Sequence, residues 1–590
     1  MDQLNAQDDL LEYYRRELTY LRVQGAEFAQ RHPKVARRLA LTGGESLDPH
    51  TERLIEAVAF LGARIHRSLD AEFPRVASAL LEGVCPNLAQ GIPSMTIVRF
   101  ALNATQGRVT SGYRVPRGAM LLAQAAGVTC RFRVTADTVL WPLTVSQARL
   151  HDTRTLKLEF EAAPGYDLSE LELDQLRLHL SGEALSVMPL HEMLLGDLES
   201  IELRPGGGGV RALPLTALQE VGFDEDQEAL LRPTHAHPAY GLLQEYFAFP
   251  RKFQFFDITG LRGRLGRGRH FELRLTFSRS ARALSTARAE TFQLGCVPVI
   301  NLFQKSSEPI VLDQRRLEYR LVADLRNEDN TEVHAISEVI ASDPAEDRPQ
   351  RIPHAFGGVQ SSGEDEPQTD LSWVAHRVAA LRPDISGTDT YLSFIDRRDV
   401  RRVPREPVIF AELWCTNRRL AEQVPPGARL VGQGLSGELS ITTLYEPSAQ
   451  REPVLSARAM WHLVSMLRLN HSSLANGPQA LAVLQQLLMM FAGDSAREQA
   501  QVRGISALSA TPALAPVAQG RWRGHGRGTD VQLSFNEDAF AGSSPLLFAS
   551  VLARFLALYT TANSFVRLSV LQGSELRRRW PAMSGRQCLL

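Results

Sequence analysis

Three glycines in the last third of this 590-residue chain have the spacing of a dinucleotide-binding loop: Gly432, Gly434 and Gly437. In that motif the loop opens a helix whose N-terminus faces the pyrophosphate. Here the following residues, 440–444, are rich in β-branched side chains, which favours a strand. We therefore interpret the segment as a turn between strands and predict no bound cofactor. The chain also contains no Gly-Lys dipeptide, which excludes a standard phosphate-binding P-loop.

Two histidine patterns could bind a metal ion. His191 and Glu192 begin a metalloprotease-like motif, but the position one helical turn further on is Leu195, which cannot ligate zinc. His235 and His237 could point to the same side of a strand, yet no cluster of carboxylates or cysteines accompanies them. An exposed or hydrogen-bonded histidine pair is the favoured interpretation, and we predict no metal site.

The cysteines argue against both zinc and disulfide chemistry, because they are scattered singly at Cys85, Cys130, Cys296, Cys415 and Cys588. We expect them to be reduced and mostly buried as small apolar side chains.

Arginines concentrate in two glycine-rich stretches, which contain Arg262, Arg264, Arg267 and Arg269, and then Arg521, Arg523 and Arg527. Among them only Trp522 could stack on a base, and the chain's net charge is -1. Nucleic-acid binding is therefore disfavoured. Solvated loops, or arms that bind an acidic partner, fit the pattern better, although a carbohydrate- or nucleic-acid-binding β domain remains a weaker alternative.

No catalytic residues are predicted. A Gly-x-Ser-x-Gly nucleophile elbow is missing from the sequence, but nucleophile, base and acid can lie far apart along a chain. A multidomain hydrolase with a dispersed active site therefore stays open as the alternative to a non-catalytic protein.

The N-terminal region carries two amphipathic helical patterns. Asp9 is the predicted N-cap of the first helix, with Glu12 completing a capping box. Its apolar stripe recurs at intervals of three and four residues and consists of Leu11, Tyr14, Leu18 and Leu21.

The second helix is predicted to start with Asp48 as cap and Pro49 at the first helical position. Pro74 should interrupt it, and residues 76–83 should form a short third helix. The apolar stripe of the second helix consists of Leu54, Val58, Leu61 and Ile65. Both stripes fit either an internal helical core or an interface with another chain.

Between residues 93 and 300 the pattern changes to alternating apolar and polar residues, which is typical of half-buried antiparallel strands. The clearest predicted strands are residues 96–100, 130–134, 156–160, 176–180 and 271–275. The glycine-rich segments 206–209 and 260–269 are predicted loops.

Helical patterns return after residue 457. One helix should contain Trp461, Val464 and Leu467, the next should cover residues 481–491, and a third should begin with Ser544 as cap and Pro545. Residues 342–370 are predicted to form a mobile loop because they combine prolines, glycines and acids with few apolar residues. The alanine- and proline-rich stretch 511–517 is predicted to be irregular.

These patterns predict an α+β multidomain protein with an N-terminal helical region, central antiparallel β-rich domains and a C-terminal mixed α/β region. The predicted boundaries are 1–92 (helical, bundle-forming), 93–300 (β-rich), 301–455 (second β-rich or mixed domain) and 456–590 (helices and strands). The N-terminus lacks the basic and apolar regions of a secretory signal, and the apolar stretch 545–559 is too short to span a bilayer. We expect a cytoplasmic protein with no direct membrane insertion.

The chain as a whole resembles the TssF family of type VI secretion systems, also called VasA or ImpG. The resemblance rests on ordered blocks along nearly the full length. These blocks include Tyr13-Tyr14-Arg15-Arg16-Glu17-Leu18, Asp48-Pro49-His50, Ile92-Pro93-Ser94-Met95, Glu245-Tyr246-Phe247, Pro298-Val299-Ile300-Asn301, Cys415-Thr416-Asn417-Arg418, Asn470-His471 and Asn563-Ser564-Phe565.

The resemblance implies a structural baseplate subunit without enzymatic activity. Two copies would join one TssG to form a wedge that engages TssK and TssE around the VgrG hub, in a baseplate docked at the inner-membrane complex through its partners. It also implies a fold like that of the wedge protein of contractile phage baseplates, in which helices from several chains form a bundle. The residues from Glu245 to Phe256 are expected to pack internally, and Asn301 and Asn470 to form interior hydrogen bonds.

Overall fold

The computed structural model divides the chain into two compact units, Met1–Leu81 with Leu455–Val464 and Glu82–Val454 with Ser465–Leu590. The structure describes residues 2–38, 41–42, 45–46, 48–84, 86–102, 109–206, 208–232, 236–280, 282–313, 315–342, 349–355, 371–382, 385–396, 404, 408–437, 439–455, 457–466, 479–519, 522–561, 564–573 and 575–585. Most of the predicted loop at 342–370, the block 467–471 that includes Asn470, and Asn563 lie outside these residues.

The described helices are α1 (Asp2–Arg31), α2 (Pro33–Arg38), α3 (Pro49–Val84), α4 (Pro86–Ala89), α5 (Ala184–Gly196), α6 (Pro238–Ala248), α7 (Arg282–Thr286), α8 (Ala457–Met466), α9 (Ala480–Ala492), α10 (Ala496–Arg503) and α11 (Pro545–Leu558).

The first sixteen strands are β1 (Leu41–Thr42), β2 (Glu45–Ser46), β3 (Met95–Leu102), β4 (Tyr113–Val115), β5 (Met120–Ala125), β6 (Val128–Val134), β7 (Thr138–Leu140), β8 (Leu143–Leu150), β9 (Thr155–Ala162), β10 (Leu176–Leu180), β11 (Leu198–Pro205), β12 (Arg211–Leu213), β13 (Leu218–Val221), β14 (Phe255–Ile258), β15 (His270–Phe277) and β16 (Phe292–Gln293).

The remaining strands are β17 (Cys296–Ile300), β18 (Phe303–Ser306), β19 (Ile310–Val311), β20 (Glu318–Leu321), β21 (Glu332–Ser342), β22 (Gln350–Ile352), β23 (Leu371–Ala379), β24 (Thr388–Asp396), β25 (Val408–Thr416), β26 (Arg429–Gly432), β27 (Leu439–Thr443), β28 (Ile505–Gln519), β29 (Trp522–Phe535), β30 (Ser564–Gln572), β31 (Glu575–Arg579) and β32 (Met583–Ser584).

The start of α3 confirms the predicted cap. Pro49 is the first helical residue, and the Asp48 carboxylate accepts hydrogen bonds from the His50 backbone N–H at 3.1 Å and the Thr51 hydroxyl at 3.0 Å. These bonds satisfy donors that the first helical turn leaves without an intrahelical partner.

Two predictions about the N-terminal helices are wrong. Helix α1 begins at Asp2, so Asp9 lies inside the helix and is not its N-cap. The preceding Leu4, Ala6 and Gln7 are good helix formers, which lets the helix extend. Helix α3 continues past Pro74 to Val84, so residues 76–83 belong to α3 and do not form the separate third helix that was predicted. A proline removes only one backbone donor, and a long helix can accommodate that loss.

A closed six-stranded barrel forms the centre of the larger unit, with strand order β17-β3-β27-β26-β5-β6. Its interior is filled by apolar side chains, including the fully buried Phe132 and Val299. Strands β26 and β27 pair with each other, so the glycines between them belong to a connection between strands. This confirms that they do not open a nucleotide-binding helix.

Antiparallel sheets adjoin the barrel. One has the order β12-β11-β15-β9-β8, another β13-β14-β10-β16, and β4 pairs with β7. All five segments predicted as strands between residues 93 and 300 are strands in the structure. The predicted loops at 260–269 and at the described part of 206–209 also lie outside strands.

Two further sheets share one apolar core. Strands β18, β25, β21 and β22 form the first, with β19 also on β25, and β20, β24 and β23 form the second. Leu392, Phe394, Ile409 and Leu413 are buried between them.

The C-terminal region combines helices with the sheet β28-β29-β30-β31, in which β29 and β30 run parallel. At the start of α11 the Ser544 hydroxyl accepts from the Leu547 N–H, and Pro545 is the first helical residue, as predicted. The expectation of irregular structure at 511–517 is wrong, since these residues lie in β28 and pair with β29. Pro512 and Pro516 are tolerated because β28 is an edge strand of that sheet.

The predicted α+β class, with helical, antiparallel and mixed regions in this order, is confirmed.

Candidate interaction surface

The apolar residues of α3 that the sequence singled out are exposed. Leu54 is 65% exposed, Val58 48%, Leu61 55% and Ile65 59%. We refer to these four residues as the α3 stripe. An amphipathic helix normally buries such a row of side chains, so the row is a candidate contact surface.

Helix α3 approaches α1 on another face, which carries small residues. Ala59 and Ala63 are fully buried, and a Cβ atom at Gly62 would lie 3.4 Å from the Glu17 carboxylate of α1. At 3.6 residues per turn, this face lies roughly 130° around the helix from the α3 stripe. Of the two alternatives left open for the α3 stripe, an internal core and an interface with another chain, its exposure favours the interface, which stays a prediction.

Two polar pairs join α1 to α3. A terminal nitrogen of Arg22 lies 2.7 Å from Glu52, and Nδ1 of His66 lies 2.6 Å from Oε1 of Glu17. The earlier residue of α1 pairs with the later residue of α3, which shows that the two helices run antiparallel. Both pairs lie on the small-residue side of α3, so the α3 stripe stays uncovered by α1.

The predicted stripe of α1 is less exposed. Leu11 is 41% exposed, whereas Tyr14, Leu18 and Leu21 are half-buried. Two other apolar side chains of α1, Tyr20 and Val23, lie outside the predicted stripe and are more than half exposed. The apolar surface of the smaller unit therefore extends to both helices.

The histidines considered above as metal ligands lie in packed and hydrogen-bonded positions. His191 is buried on α5, and its Nε2 lies 3.2 Å from the Phe253 carbonyl oxygen. Burial lowers the pKa of His191 to about 4. The neighbouring Glu192 lies 3.8 Å from Arg577, and burial raises the pKa of that carboxyl. His191 is therefore a buried side chain whose Nε2 lies within hydrogen-bond distance of a backbone carbonyl oxygen.

His237 is the N-cap of α6. Its Nδ1 accepts from the Ala239 N–H at 3.3 Å, and its ring packs against Tyr240 and Tyr559. Burial lowers the pKa of His237 to about 4. His235 lies outside the described residues, so the predicted pair can be placed only in part.

Three of the five cysteines can be placed. Cys130, Cys296 and Cys415 are free thiols in buried positions, as expected. Burial raises the pKa of Cys130 to about 11 and that of the other two to about 12. Such thiols are inert at neutral pH.

Within the described residues, no group of three or more histidine, cysteine, aspartate or glutamate side chains could hold a metal ion. No helix in that part of the chain is long and apolar enough to cross a membrane.

The predicted interior amides are partly confirmed. Asn301 is fully buried, and its Nδ2 donates to the Arg131 carbonyl oxygen and to Oδ1 of Asn417, each at 2.8 Å. The Asn417 N–H donates back to Oδ1 of Asn301 at 2.7 Å. This reciprocal pair fastens β17 and β25 to the barrel strand β6.

Sequence reasoning identified the apolar block at residues 245–256 but missed its central charge pair. Tyr246 and Phe247 are buried as expected, and so are Glu245 and Lys252, whose side chains form an ion pair. The signal available in the sequence was a lysine seven residues after a glutamate inside an otherwise apolar stretch, which periodicity cannot distinguish from an exposed pair.

Similarity to known proteins gives this surface its context. A family model described as "Type VI secretion system, TssF" matches residues 6–587. The chain belongs to the TssF family. It is 33% identical over 618 residues to the type VI secretion system component TssF1 of Pseudomonas aeruginosa, covering 98% of both chains.

The fold is also similar to chains in two solved structures of type VI secretion baseplates. A chain in the cryo-electron microscopy structure of the type VI secretion system TssK-TssF-TssG baseplate subcomplex matches with a TM-score of 0.72 and 24% identity, over 90% of this chain and 98% of that chain. A chain in the baseplate complex from the type VI secretion system matches with a TM-score of 0.55 and 22% identity, over 98% of this chain and all of the other. These matches establish that the TssF fold extends over most of the chain.

Proposed function

We propose that this chain is a non-catalytic wedge subunit of a type VI secretion baseplate. Two copies assemble with one TssG, and the wedge engages TssK and TssE around the VgrG hub. The proposal places the protein in the cytoplasm, in a baseplate that docks at the inner-membrane complex through its partners. Membership of the TssF family and the relative's occurrence in a TssK-TssF-TssG subcomplex support it.

The observation that carries the proposal is the exposure of the α3 stripe. Four large apolar side chains at helical spacing, each about half exposed or more, form a surface suited to another helix. We propose that the α3 stripe, together with Leu11, Tyr14, Leu18 and Leu21 of α1, contributes to a helical bundle shared with TssG and a second copy of this chain.

Co-expression with the TssG of the same system, followed by native mass measurement, tests the composition of the complex. We expect a species with two copies of this chain and one TssG. If the chain and TssG purify separately under conditions where both are folded, the proposal fails.

A charged substitution tests the surface itself. Leu61→Glu places a carboxylate in the middle of the α3 stripe and should abolish the complex while leaving the isolated chain folded, since Leu61 is 55% exposed. Phe60→Glu is the matched control, because Phe60 is an exposed apolar residue (44%) on a different face of the same helix. Equal complex formation by wild type and Leu61→Glu would remove the α3 stripe from the interface.

A further inference from the structure

A cavity of about 390 Å³ lies in the larger unit, beside the two sheets that share the β18–β25 core. Its size falls in the range typical of ligand pockets. Among its lining residues are Trp373, Trp414, Ile336, His354, Arg377 and Thr390. It contains none of the residues of the α1 and α3 surface described above.

The strand geometry builds this cavity. On β23, Trp373, Ala375 and Arg377 alternate along the strand and so share one face, and Arg377 is paired directly with Thr390 of β24. On β21 the register shifts on both sides of residues 335–336. Irregularities of this kind bend a strand and re-aim its side chains, here beside Trp414, the partner of Ala335 in the adjacent strand.

Two indole rings form apolar walls of the cavity, and each contacts a neighbouring side chain. The Trp373 ring packs against the His354 ring with centroids 4.2 Å apart. The Arg133 guanidinium lies 5.1 Å from the centroid of Trp414. Rigid aromatic walls of this kind favour an aromatic guest, because ring contacts add to the free energy gained from burial.

The polar groups of the cavity favour a ligand that accepts hydrogen bonds, and especially an anionic ligand. Thr390 is 3% exposed, and its hydroxyl has no hydrogen-bond partner among the described residues. A buried hydroxyl left in this state is costly, and a ligand oxygen would satisfy it. The lining includes the guanidinium groups of Arg232 and Arg377 and no carboxylate.

The two arginines are oriented by neighbouring groups. Arg377 donates to the Val333 carbonyl oxygen at 2.8 Å and also to the carbonyl oxygen of His334. Arg232 lies 3.2 Å from Glu228 and 3.5 Å from Glu225, neither of which lines the cavity. Fixed guanidinium groups recognise carboxylates with good geometry.

We propose that this cavity binds an aromatic side chain of a partner protein segment that carries a carboxylate next to it. The apolar walls take the ring, while the Thr390 hydroxyl and the arginines bind the acidic group. The source of the segment rests on the proposed assembly function, whereas the chemistry of the cavity does not. Buried aromatic anchors of this type contribute much of the binding free energy of protein interfaces.

The first test uses the isolated full chain and 1-anilinonaphthalene-8-sulfonate, an aromatic anion that matches the chemistry of the cavity. Energy transfer from tryptophan to the bound probe should saturate with wild type. Ala375→Phe fills the cavity and should weaken this saturable binding at least tenfold. Val374→Phe is the control, since the neighbouring side chain points to the other face of β23. Wild-type binding by Ala375→Phe would overturn the proposal.

A second variant distinguishes a loss of probe binding from a loss of folding. Thr390→Val keeps the shape of the side chain and removes only the hydroxyl. It should weaken probe binding at least threefold while the isolated chain unfolds at the same or a higher temperature, because a buried hydroxyl without a partner has been removed. A lower unfolding temperature with unchanged probe binding would assign the hydroxyl to stability of the fold and contradict the proposed site.

The partner is tested with a photoreactive benzoylphenylalanine at Ser337, an exposed residue of the cavity rim, in the full chain co-expressed with TssG and TssK. Cross-linking to a partner peptide with an aromatic residue beside an acidic one is the expected result. Cross-links confined to this chain or to nucleic acid would overturn the assignment to a partner segment. Native mass measurement of the same sample reports complex formation separately, so failure of the proposed function is distinguishable.

Discussion

At the scale of single residues, the ion pair between Glu245 and Lys252 is the least exposed one in the described part of the chain. Oε1 of Glu245 accepts from the backbone N–H groups of Ala229 at 2.7 Å and Leu230 at 2.9 Å, and Lys252 donates to the Gly222 carbonyl oxygen at 2.9 Å and to Glu245. The pair therefore connects the end of α6 to the chain between Gly222 and Leu230. Such pairs specify one arrangement of a loop even when their net contribution to stability is small.

Lys252→Met should destabilise the larger unit by about 3–5 kcal/mol, because it leaves the buried Glu245 carboxylate without its cation. Chemical denaturation followed by tryptophan fluorescence measures the change. The double variant Glu245→Gln with Lys252→Met should recover part of the loss. A single variant as stable as wild type would show that the carboxylate is not held as a buried charge.

Buried histidines make the stability of the larger unit depend on pH. Burial lowers the pKa of His191 from 6.5 to about 4 and that of His179 to about 3. Between pH 6.5 and these values the unfolded chain binds a proton that the folded chain does not. The free energy of unfolding is therefore highest above pH 6.5 and decreases as the pH falls towards these pKa values, because proton binding favours the unfolded chain.

Lowering the pH from 7 to 5 should cost about 2 kcal/mol for each of these two histidines. Urea denaturation at the two pH values measures the effect, and His191→Gln should reduce the difference by one histidine's share. Equal pH dependence in the variant and the wild type would mean that His191 is already accessible to protons in the folded chain.

At the scale of elements, helix α3 shows how one sequence pattern supports two packing arrangements. Leu54, Val58, Leu61 and Ile65 recur at intervals of four, three and four, which indicates an amphipathic helix. Ala59 and Ala63 also recur at helical spacing and are fully buried, on the side of the helix where Gly62 approaches the Glu17 side chain of α1. The helix therefore buries the alanines within the chain and leaves the larger side chains exposed.

Leu61→Ala in the isolated chain should change the free energy of unfolding by less than about 0.5 kcal/mol, as is usual for surface substitutions. Leu81→Ala on the same helix should cost about 2–5 kcal/mol, because Leu81 is fully buried. Thermal or urea unfolding of the two variants in parallel measures the difference. Similar losses in both would indicate that Leu61 is covered within the isolated chain.

At the scale of the whole molecule, the chain joins two units with different kinds of exposed surface. The smaller unit presents the α3 stripe, whereas the larger unit has a barrel and paired sheets with filled cores. In the larger unit, contacts between distant segments predominate: β3 pairs with β27, more than 300 residues further along the chain. The exposed apolar helical surface is therefore a feature of the smaller unit.

Assembly with TssG should therefore slow hydrogen exchange along residues 50–66 while the barrel strands β3 and β17 exchange as they do in the isolated chain. Hydrogen exchange with mass spectrometry, on the isolated chain and the complex, measures both regions at once. Added protection confined to the barrel would place the TssG contact on the larger unit and contradict the proposed role of α3.

Local signals in the sequence predicted a large part of the fold. The caps at Asp48 and Ser544 depend on one side chain and the next turn of helix, and strands such as β9 and β15 depend on simple alternation. The prediction for residues 511–517 failed because the pairing of β28 with β29 overrides the local tendency of prolines to disrupt strands. The prediction at Pro74 failed for a related reason, since one missing donor does not end a long helix.

The candidate surface was predictable only as an amphipathic pattern. Periodicity identified the residues of the α3 stripe. A search for short motifs found no local catalytic signature, and the resemblance to the TssF family came from ordered sequence blocks. The tertiary structure decided that the alanine face of α3 meets α1 and that Trp373, Thr390 and Trp414 surround one cavity. These facts depend on contacts between residues far apart in sequence, whose free energies no local pattern contains.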